Sequence, residues 1–323
     1  MTTYREIYGR RVEVVSADPG NLKAGQIWYN SSSGTVKSYL LAPGSIAAGG
    51  NPGGNGGKTQ LGGCGTVTAG LIFGGEPTTT ATEEYDGTSW TNVNAAPTGG
   101  TDMGSAGNQT AALWVGGTNT LGNSYEYDGT NWTGGGSLGT AMRFAVGTCG
   151  TQTAAMLTGG YQTPPGTPSA IMQSYDGSTW TTIPQTYPTS ADTPAFRTSG
   201  TQTAIISAGG NSQATTSLDW DGSSWTANNP LAVGVSAQVQ QGTQTASLVA
   251  TGHPAPSGGY STKLQEYDGT NWSLSPATFS TGRSQAAGGG TTASMFVANG
   301  APSVDATEVY TGPALATKTL TTE

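Results

Sequence analysis

The sequence predicts an all-β protein, a six-bladed β-propeller with a small N-terminal β-hairpin arm. Two observations lead to this prediction. The 323 residues include 52 glycines and only 9% charged residues, a composition that disfavours long helices and suits short strands joined by tight turns. One sequence pattern also recurs six times at steps of 42 to 48 residues, and tandem four-stranded units of this period are typical of β-propellers.

The first marker of the repeat is the string Tyr-Asp-Gly-x-x-Trp. We expect Asp to cap a tight turn, Gly to adopt a positive φ, and both rings to fill the gap between units. Four copies are complete, the fourth along the chain has Trp220 in place of Tyr, and the sixth is reduced to Tyr310-Thr-Gly with Leu315 at the Trp position. The predicted structural residues are Tyr85, Asp86, Trp90, Tyr127, Asp128, Trp132, Tyr175, Asp176, Trp180, Trp220, Asp221, Trp225, Tyr267, Asp268 and Trp272.

A second marker, Gly-x-x-Thr-Ala followed by a Gly pair, runs in phase with the first. It opens at Gly65 in the first unit and is contracted to Gly-Thr-Thr-Ala at Gly290 in the last. Each unit then reads as four short strands, because Thr, Val and aromatic residues favour strands and the Gly-Thr-Gln and Asp-Gly strings favour tight loops. In the third unit the predicted strands are 144–149, 154–158, 173–175 and 180–183.

Residues 1–41 do not match the repeat, and we expect them to serve attachment or oligomerisation. They contain two predicted strands, 25–30 and 35–41, and a lone hairpin needs a further packing partner. They carry five basic and three acidic residues, a net +2, whereas the rest of the chain carries six and sixteen, a net −10. Residues 42–58 are predicted to be a flexible Gly-rich linker to a propeller of residues 59–323. The candidate attachment residues are Tyr4, Arg5, Arg10, Arg11, Trp28 and Tyr29.

The loop between the second and third strands varies in length, which suggests a binding role. From the Gly pair to the repeat aromatic residue it spans ten residues in four units and fifteen in the third and fifth. Variable loops on a rigid scaffold often carry recognition, so we expect this face to contact a receptor or a neighbouring protein. Tolerated surface insertions are the alternative interpretation. The candidate binding residues are Tyr161, Gln162, Pro164, Pro165, His253, Pro254, Tyr260 and Lys263.

Catalytic chemistry finds little support in the sequence. The single histidine, His253, has no identifiable partners for a metal site or a triad, and Cys64 and Cys149 read as buried fillers at equivalent positions. We therefore expect no enzyme activity, cofactor or metal. The net charge of −8 argues against nucleic-acid binding. The absence of a long apolar run argues against membrane insertion or a signal peptide.

The Gly-Gly, Tyr and Trp arrangement over residues 59–323 resembles the kelch repeat. The opening Tyr-Arg-Glu-Ile, the phrase Gly-Gln-Ile-Trp-Tyr-Asn-Ser-Ser-Ser-Gly and the repeated Glu-Tyr-Asp-Gly-Thr-Asn-Trp resemble kelch-like virion proteins of tailed bacteriophages from marine bacteria. This resemblance implies a virion protein made in the host cytoplasm, such as a tail fibre or adsorption appendage. It implies as partners other virion proteins, further copies of the chain, and a host-surface receptor such as a glycan. A capsid decoration protein, a propeller enzyme and an intracellular kelch adaptor remain alternatives.

Overall fold

The computed structural model describes residues 12–54, 57–144, 147–188, 196–254 and 259–320. The fold is all-β: within these ranges the only helical segment is the 3₁₀ turn Asn211–Gln213, and no helix is long and apolar enough to cross a membrane. The chain divides into two compact units. The larger unit spans residues 46–311, and the smaller unit combines residues 1–45 with residues 312–323.

The larger unit contains six successive sheets, each with a core of four strands, which we number 1 to 6 along the chain. Strands follow one another in chain order within sheets 1 to 5, and neighbouring strands there pair antiparallel where their register is defined. This arrangement is consistent with a β-propeller. The strands are Gly62–Thr66, Ala69–Phe73, Thr82–Tyr85 and Trp90–Asn92 in sheet 1; Gly104–Asn108, Ala111–Val115, Ser124–Tyr127 and Trp132–Gly134 in sheet 2; Thr148–Thr151, Ala154–Gln162, Thr167–Tyr175 and Trp180–Thr186 in sheet 3, with Met142–Arg143 added; Arg197–Thr201, Ala204–Ala208, Ser217–Trp220 and Trp225–Ala227 in sheet 4; Val239–Thr243, Ala246–Ala250, Lys263–Tyr267 and Trp272–Thr278 in sheet 5; and Ala287–Gly290, Ser294–Ala298, Thr307–Thr311 and Ser45–Ala48 in sheet 6.

The hairpin between the first two strands explains the second marker. In sheet 1 the turn begins at Gly65, whose φ is +94°, a value that glycine adopts at little cost. A side chain at Gly65 would also collide with the carbonyl of Ala69. The following strand is apolar and buried at Leu71, Ile72 and Phe73, so the second strand of the sheet anchors the core.

Sheet 6 corrects the predicted boundaries of the propeller. Its fourth strand is Ser45–Ala48, which lies inside the predicted flexible linker 42–58, whereas the sequence placed this strand around Leu315. Ile46 packs against the cluster that contains Phe279 and Tyr310, which explains why this short segment is ordered as a strand. The predicted linker also contributes Gly53, whose N–H donates to Glu83 Oε1 at 2.7 Å.

The smaller unit is a four-stranded sheet rather than a lone hairpin. The predicted hairpin is present as Ile27–Asn30 and Thr35–Ala42. Glu13–Val15 pairs parallel with the first of these strands, and Ala314–Leu320 pairs antiparallel with the second. The C-terminal strand therefore belongs to this unit, and the predicted propeller range of 59–323 is too long at its C-terminal end.

Apolar clusters between neighbouring sheets form the core of the larger unit. Phe73 of sheet 1 packs with Trp114 and Trp132 of sheet 2, and Ile72 packs with Phe296 of sheet 6. The first strands contact one another in the order of sheets 1, 2, 3, 4, 5 and 6, and the first strand of sheet 6 contacts that of sheet 1.

Candidate functional site

The repeat tryptophans connect neighbouring sheets through their indole nitrogens. Trp132 lies in sheet 2, is 8% exposed, and donates from Nε1 to Thr82 Oγ1 of sheet 1 at 2.9 Å. Trp225 is the exception, because its Nε1 lies 3.2 Å from Met172 Sδ, a weak acceptor. Three others donate to a hydroxyl at the same position of the preceding sheet: Trp180 to Ser124 at 3.1 Å, Trp272 to Ser217 at 3.0 Å, and Trp90 of sheet 1 to Thr307 of sheet 6 at 2.8 Å.

The repeat tyrosines make a second set of bonds across the same junctions. Tyr127 donates from its hydroxyl to Glu84 Oε1 at 2.8 Å, and Tyr175 donates to Glu126 Oε1 at 2.7 Å. Burial, together with the bond to Glu126, raises the pKa of Tyr175 to about 12. Each acceptor is the Glu that precedes the Tyr-Asp-Gly string of the preceding sheet, so these residues hold sheets together.

The repeat aspartates act within their own turns. Oδ1 of Asp221 accepts hydrogen bonds from the N–H groups of Ser223 and Ser224, both at 2.8 Å. The Ser223 hydroxyl also donates to Oδ1, and this bond is the largest cause, ahead of the two backbone bonds, that lowers the pKa of Asp221 to about 2. Among the described residues no group of three or more His, Cys, Asp or Glu side chains could hold a metal. Equivalent turn bonds are made by Asp86, Asp128, Asp176 and Asp268.

A repeated glutamine joins the sheets in a way that the sequence analysis missed. Gln109, in the turn between the first two strands of sheet 2, donates from Nε2 to the carbonyls of Gly70 and Tyr85 in sheet 1 at 3.0 and 3.1 Å. The first unit has Val67 at this position. The signal was present in the recurring Gly-Thr-Gln-Thr-Ala string, which we interpreted only as a turn. The equivalent side chains are Gln152, Gln202 and Gln244, each bonded to two carbonyls of the preceding sheet.

The long loop of sheet 3 is an extended hairpin rather than an irregular insertion. Tyr161 and Gln162 lie in the second strand and pair with Pro168 and Thr167. The added strand Met142–Arg143 pairs with the same two residues, which explains why the strands continue beyond the Gly pair. Pro164 and Pro165 lie exposed in the turn.

The aromatic surface of this hairpin contacts the segment that enters sheet 3. The Arg143 guanidinium carbon lies 4.7 Å from the ring centroid of Phe144, and the Phe144 and Tyr161 rings meet edge to face at 6.1 Å. Phe144 has a φ of +55° and lies outside the first strand, which begins at Thr148 rather than at the predicted residue 144.

The long loop of sheet 5 is held through both nitrogens of His253. Nδ1 lies 2.9 Å from the carbonyl oxygen of Gly259, and Nε2 lies 2.9 Å from Oγ of buried Ser284. Because a carbonyl can only accept, Nδ1 carries the proton and Nε2 accepts from the serine hydroxyl. The Tyr260 ring lies 5.2 Å from the imidazole, and its side chain is 39% exposed. His253 therefore connects Gly259 to Ser284, in the segment that leads into sheet 6.

The remaining loop candidates differ in exposure. Pro254 is half-buried and pairs with Val235, next to the pair formed by Ser236 and His253. Lys263 is exposed at the start of the third strand. Residues 255–258 of the loop lie outside the described residues.

Each long loop lies at the same end of its sheet as the segment that leads into the first strand of that sheet. Met142–Arg143 pairs with the loop of sheet 3, and Val235–Ser236 pairs with the loop of sheet 5. In three other sheets a single bridge joins the segment before the first strand to the loop between the second and third strands. This loop therefore lies at the same end of the sheet in five sheets. The bridges join Thr59 to Glu76 in sheet 1, Thr101 to Thr118 in sheet 2, and Ser284 to Ala301 in sheet 6.

The two arginines at matching positions before their sheets have different environments. Arg283 is fully buried, forms an ion pair with Glu308, and donates from Nη1 to the carbonyl of Ala306 at 2.8 Å. Arg143 is exposed and stacks on Phe144. Both arginines therefore make contacts within the protein.

In the smaller unit, Trp28 and Tyr29 lie on opposite faces of the sheet. Trp28 is fully buried and donates from Nε1 to Asp18 Oδ1 at 3.0 Å, and Asp18 also pairs with Lys37 at 2.8 Å. Hydrogen bonds from Lys37, Asn30 and Trp28 lower the pKa of Asp18 to about 2, with the Lys37 bond the largest cause. Of the predicted attachment residues, Tyr4, Arg5, Arg10 and Arg11 lie outside the described residues.

One row on the opposite face of this sheet is apolar and partly exposed. The register places Val14, Tyr29, Val36 and Leu320 in one row across the four strands. Val14 is 64% exposed and Leu320 is 41% exposed. Exposed apolar residues in a contiguous row are typical of contact surfaces.

Comparisons with known proteins give the fold and nothing finer. No protein-family model matches the sequence, and no curated protein matches it. The structure is similar to the solved structure of YjhT, with a TM-score of 0.64 and 14% sequence identity, over 85% of this chain and 100% of that one.

Proposed function

We propose that residues 46–311 form a six-bladed β-propeller and that the chain is a structural and binding protein of a phage virion, namely a tail fibre or adsorption appendage. The blade number is supported by the contacts among the first strands of six sheets and by the bond from Trp90 in the first repeat to Thr307 in the last. The virion assignment rests on the resemblance of the sequence to kelch-like phage proteins.

One observation supports binding rather than catalysis. The repeat Trp, Tyr, Gln and Asp side chains make bonds within or between sheets, whereas the two long loops present exposed side chains at one shared edge. These include Pro164, Pro165, Tyr260 and Lys263. Loops of different length on a repeated scaffold are suited to recognition, and we assign receptor or neighbour binding to this edge.

The smaller unit is the proposed attachment element. Its row of Val14, Tyr29, Val36 and Leu320 offers an apolar surface to another virion protein or a further copy of the chain. The four-stranded sheet provides the internal support that a lone hairpin would lack.

The binding assignment is tested by shortening both loops to the ten-residue length. Removing residues 163–167 and 255–259 should abolish adsorption or assembly while the thermal midpoint changes little. The matched control is Thr130→Ala with Thr270→Ala, two exposed positions in the opposite turns, which should leave adsorption intact. Normal adsorption and assembly of the loop variant would show that the insertions are tolerated decoration.

The virion assignment is tested separately by antibody labelling of intact particles under the electron microscope. Label on the tail supports the proposal, label on the capsid indicates a decoration protein, and unlabelled particles exclude a surface role in the virion.

A further inference from the structure

The first strands of all six sheets line a cavity of about 220 Å³. Glycine, alanine, serine and threonine make up most of its wall. At roughly 30 Å³ per water molecule this volume corresponds to about seven waters. The cavity therefore has room for a small organic molecule, and the opening glycine of the second marker lines it in all six units: Gly65, Gly107, Gly150, Gly200, Gly242 and Gly290.

Among the described residues of the cavity wall, Arg197 is the only charged one. Its Nε donates to the carbonyl of Gln238 at 3.1 Å. Among the described residues Nη1 and Nη2 have no hydrogen-bond or ion-pair partner, so four of its five N–H groups remain available. Burial lowers the pKa of Arg197 to about 10, and Asp102 opposes this shift electrostatically. The guanidinium stays protonated at neutral pH and gives the cavity a positive charge.

The fold does not require an arginine at this position. Arg197 opens the first strand of sheet 4, and other sheets begin this strand with Gly62, Gly104, Val239 or Ala287. A half-buried cation costs desolvation energy, which the Asp102 carboxylate partly offsets here. The arginine is therefore an exception among the repeats and a candidate for function.

Gln240 lies in the same wall. Its Nε2 donates to the carbonyl of Ile206 at 3.1 Å, and its buried Oε1 has no hydrogen-bond partner among the described residues and does not open onto the cavity. Arg197 is therefore the group that a ligand in the cavity would contact.

We propose that this cavity binds a small carboxylate. The carboxylate accepts two parallel hydrogen bonds from the fork of Arg197. A three- or four-carbon acid matches the volume. This site goes beyond the proposed virion function and does not depend on it.

Isothermal titration of the full chain with glycerate tests the proposal, with glycerol as the matched compound that lacks the carboxylate. Glycerate should bind and glycerol should bind at least about tenfold more weakly, because charge-assisted bonds contribute more than neutral ones. Arg197→Met should weaken glycerate binding about tenfold or more. Arg143→Met, which removes an exposed arginine outside the cavity wall, should leave it unchanged.

Three outcomes would overturn the inference: no heat of binding with wild-type protein at about 10 mM glycerate, equal affinities for glycerate and glycerol, or equal losses in the two arginine variants. Tighter binding of inorganic phosphate than of glycerate would overturn the carboxylate assignment. If Arg197→Met does not fold, Arg197→Lys retains the charge without the fork and should still weaken glycerate binding.

Discussion

The bond between Trp132 and Thr82 allows a direct measurement of how much one repeat contact stabilises the junction of sheets 1 and 2. Trp132→Phe removes the Nε1–H donor, which lies 2.9 Å from Thr82 Oγ1, and leaves a small cavity beside Phe73 and Trp114. We expect a loss of about 1 kcal/mol for the hydrogen bond and about 1 kcal/mol for the cavity.

The two contributions can be separated by a double-mutant cycle. Thr82→Val removes the acceptor, and the double variant should lose about 1 kcal/mol less than the sum of the single variants. Trp225→Phe is the matched control, because its Nε1 faces Met172 Sδ and little hydrogen-bond energy is at stake. It should lose only the cavity contribution.

Urea unfolding monitored by fluorescence and circular dichroism gives these free energies where the two probes coincide. A coupling energy near zero between positions 132 and 82 would refute the role of the hydrogen bond. Equal losses in Trp132→Phe and Trp225→Phe would do so as well.

Three further predictions concern the termini, a turn and the thiols. A chain of residues 43–313 should fold, whereas one of residues 50–313, which lacks the fourth strand of sheet 6, should unfold at clearly lower urea because the cluster of Phe279 and Tyr310 loses Ile46; equal midpoints would contradict the role of that strand. Asp221→Asn should destabilise at pH 7, and its difference from wild type should shrink as the pH falls from about 5 to about 2, because a lowered native pKa stabilises only above the protonation range; a difference that persists at pH 2 would contradict the turn assignment. The two free, buried cysteines, whose pKa values burial raises to about 12, should react with a thiol reagent only after denaturation, with two thiols titrating; rapid reaction of the native protein would contradict their burial.

The turns and hairpins of the larger unit could be predicted because they depend on residues that are close together in the sequence. The Tyr-Asp-Gly-x-x-Trp string specifies its own turn, because the Asp carboxylate and the two following N–H groups are three residues apart at most. The alternation of small, apolar and aromatic residues likewise defines the hairpins. The structure places Tyr85 opposite Trp90, at the two sides of the predicted turn.

The sequence predicted only some of the contacts that these residues make with neighbouring sheets. The sequence indicated that rings fill the junctions, but not that Gln109 spans two carbonyls or that Tyr127 bonds to Glu84. Such pairs lie about 24 to 43 residues apart in the chain, and a single sequence carries no signal for a contact at that separation beyond its periodic recurrence.

By itself the sequence determined that six similar units follow one another and which residues form each turn. Only the tertiary structure decided that Ser45–Ala48 completes sheet 6, that Ala314–Leu320 pairs with Thr35–Ala42, and that Arg197 and Gln240 share one cavity. A β-strand pairs through backbone groups that every residue carries, so an open sheet edge accepts whichever segment the fold brings to it. Side chains around a cavity come from strands far apart in the chain, and their meeting depends on the closure of the whole unit.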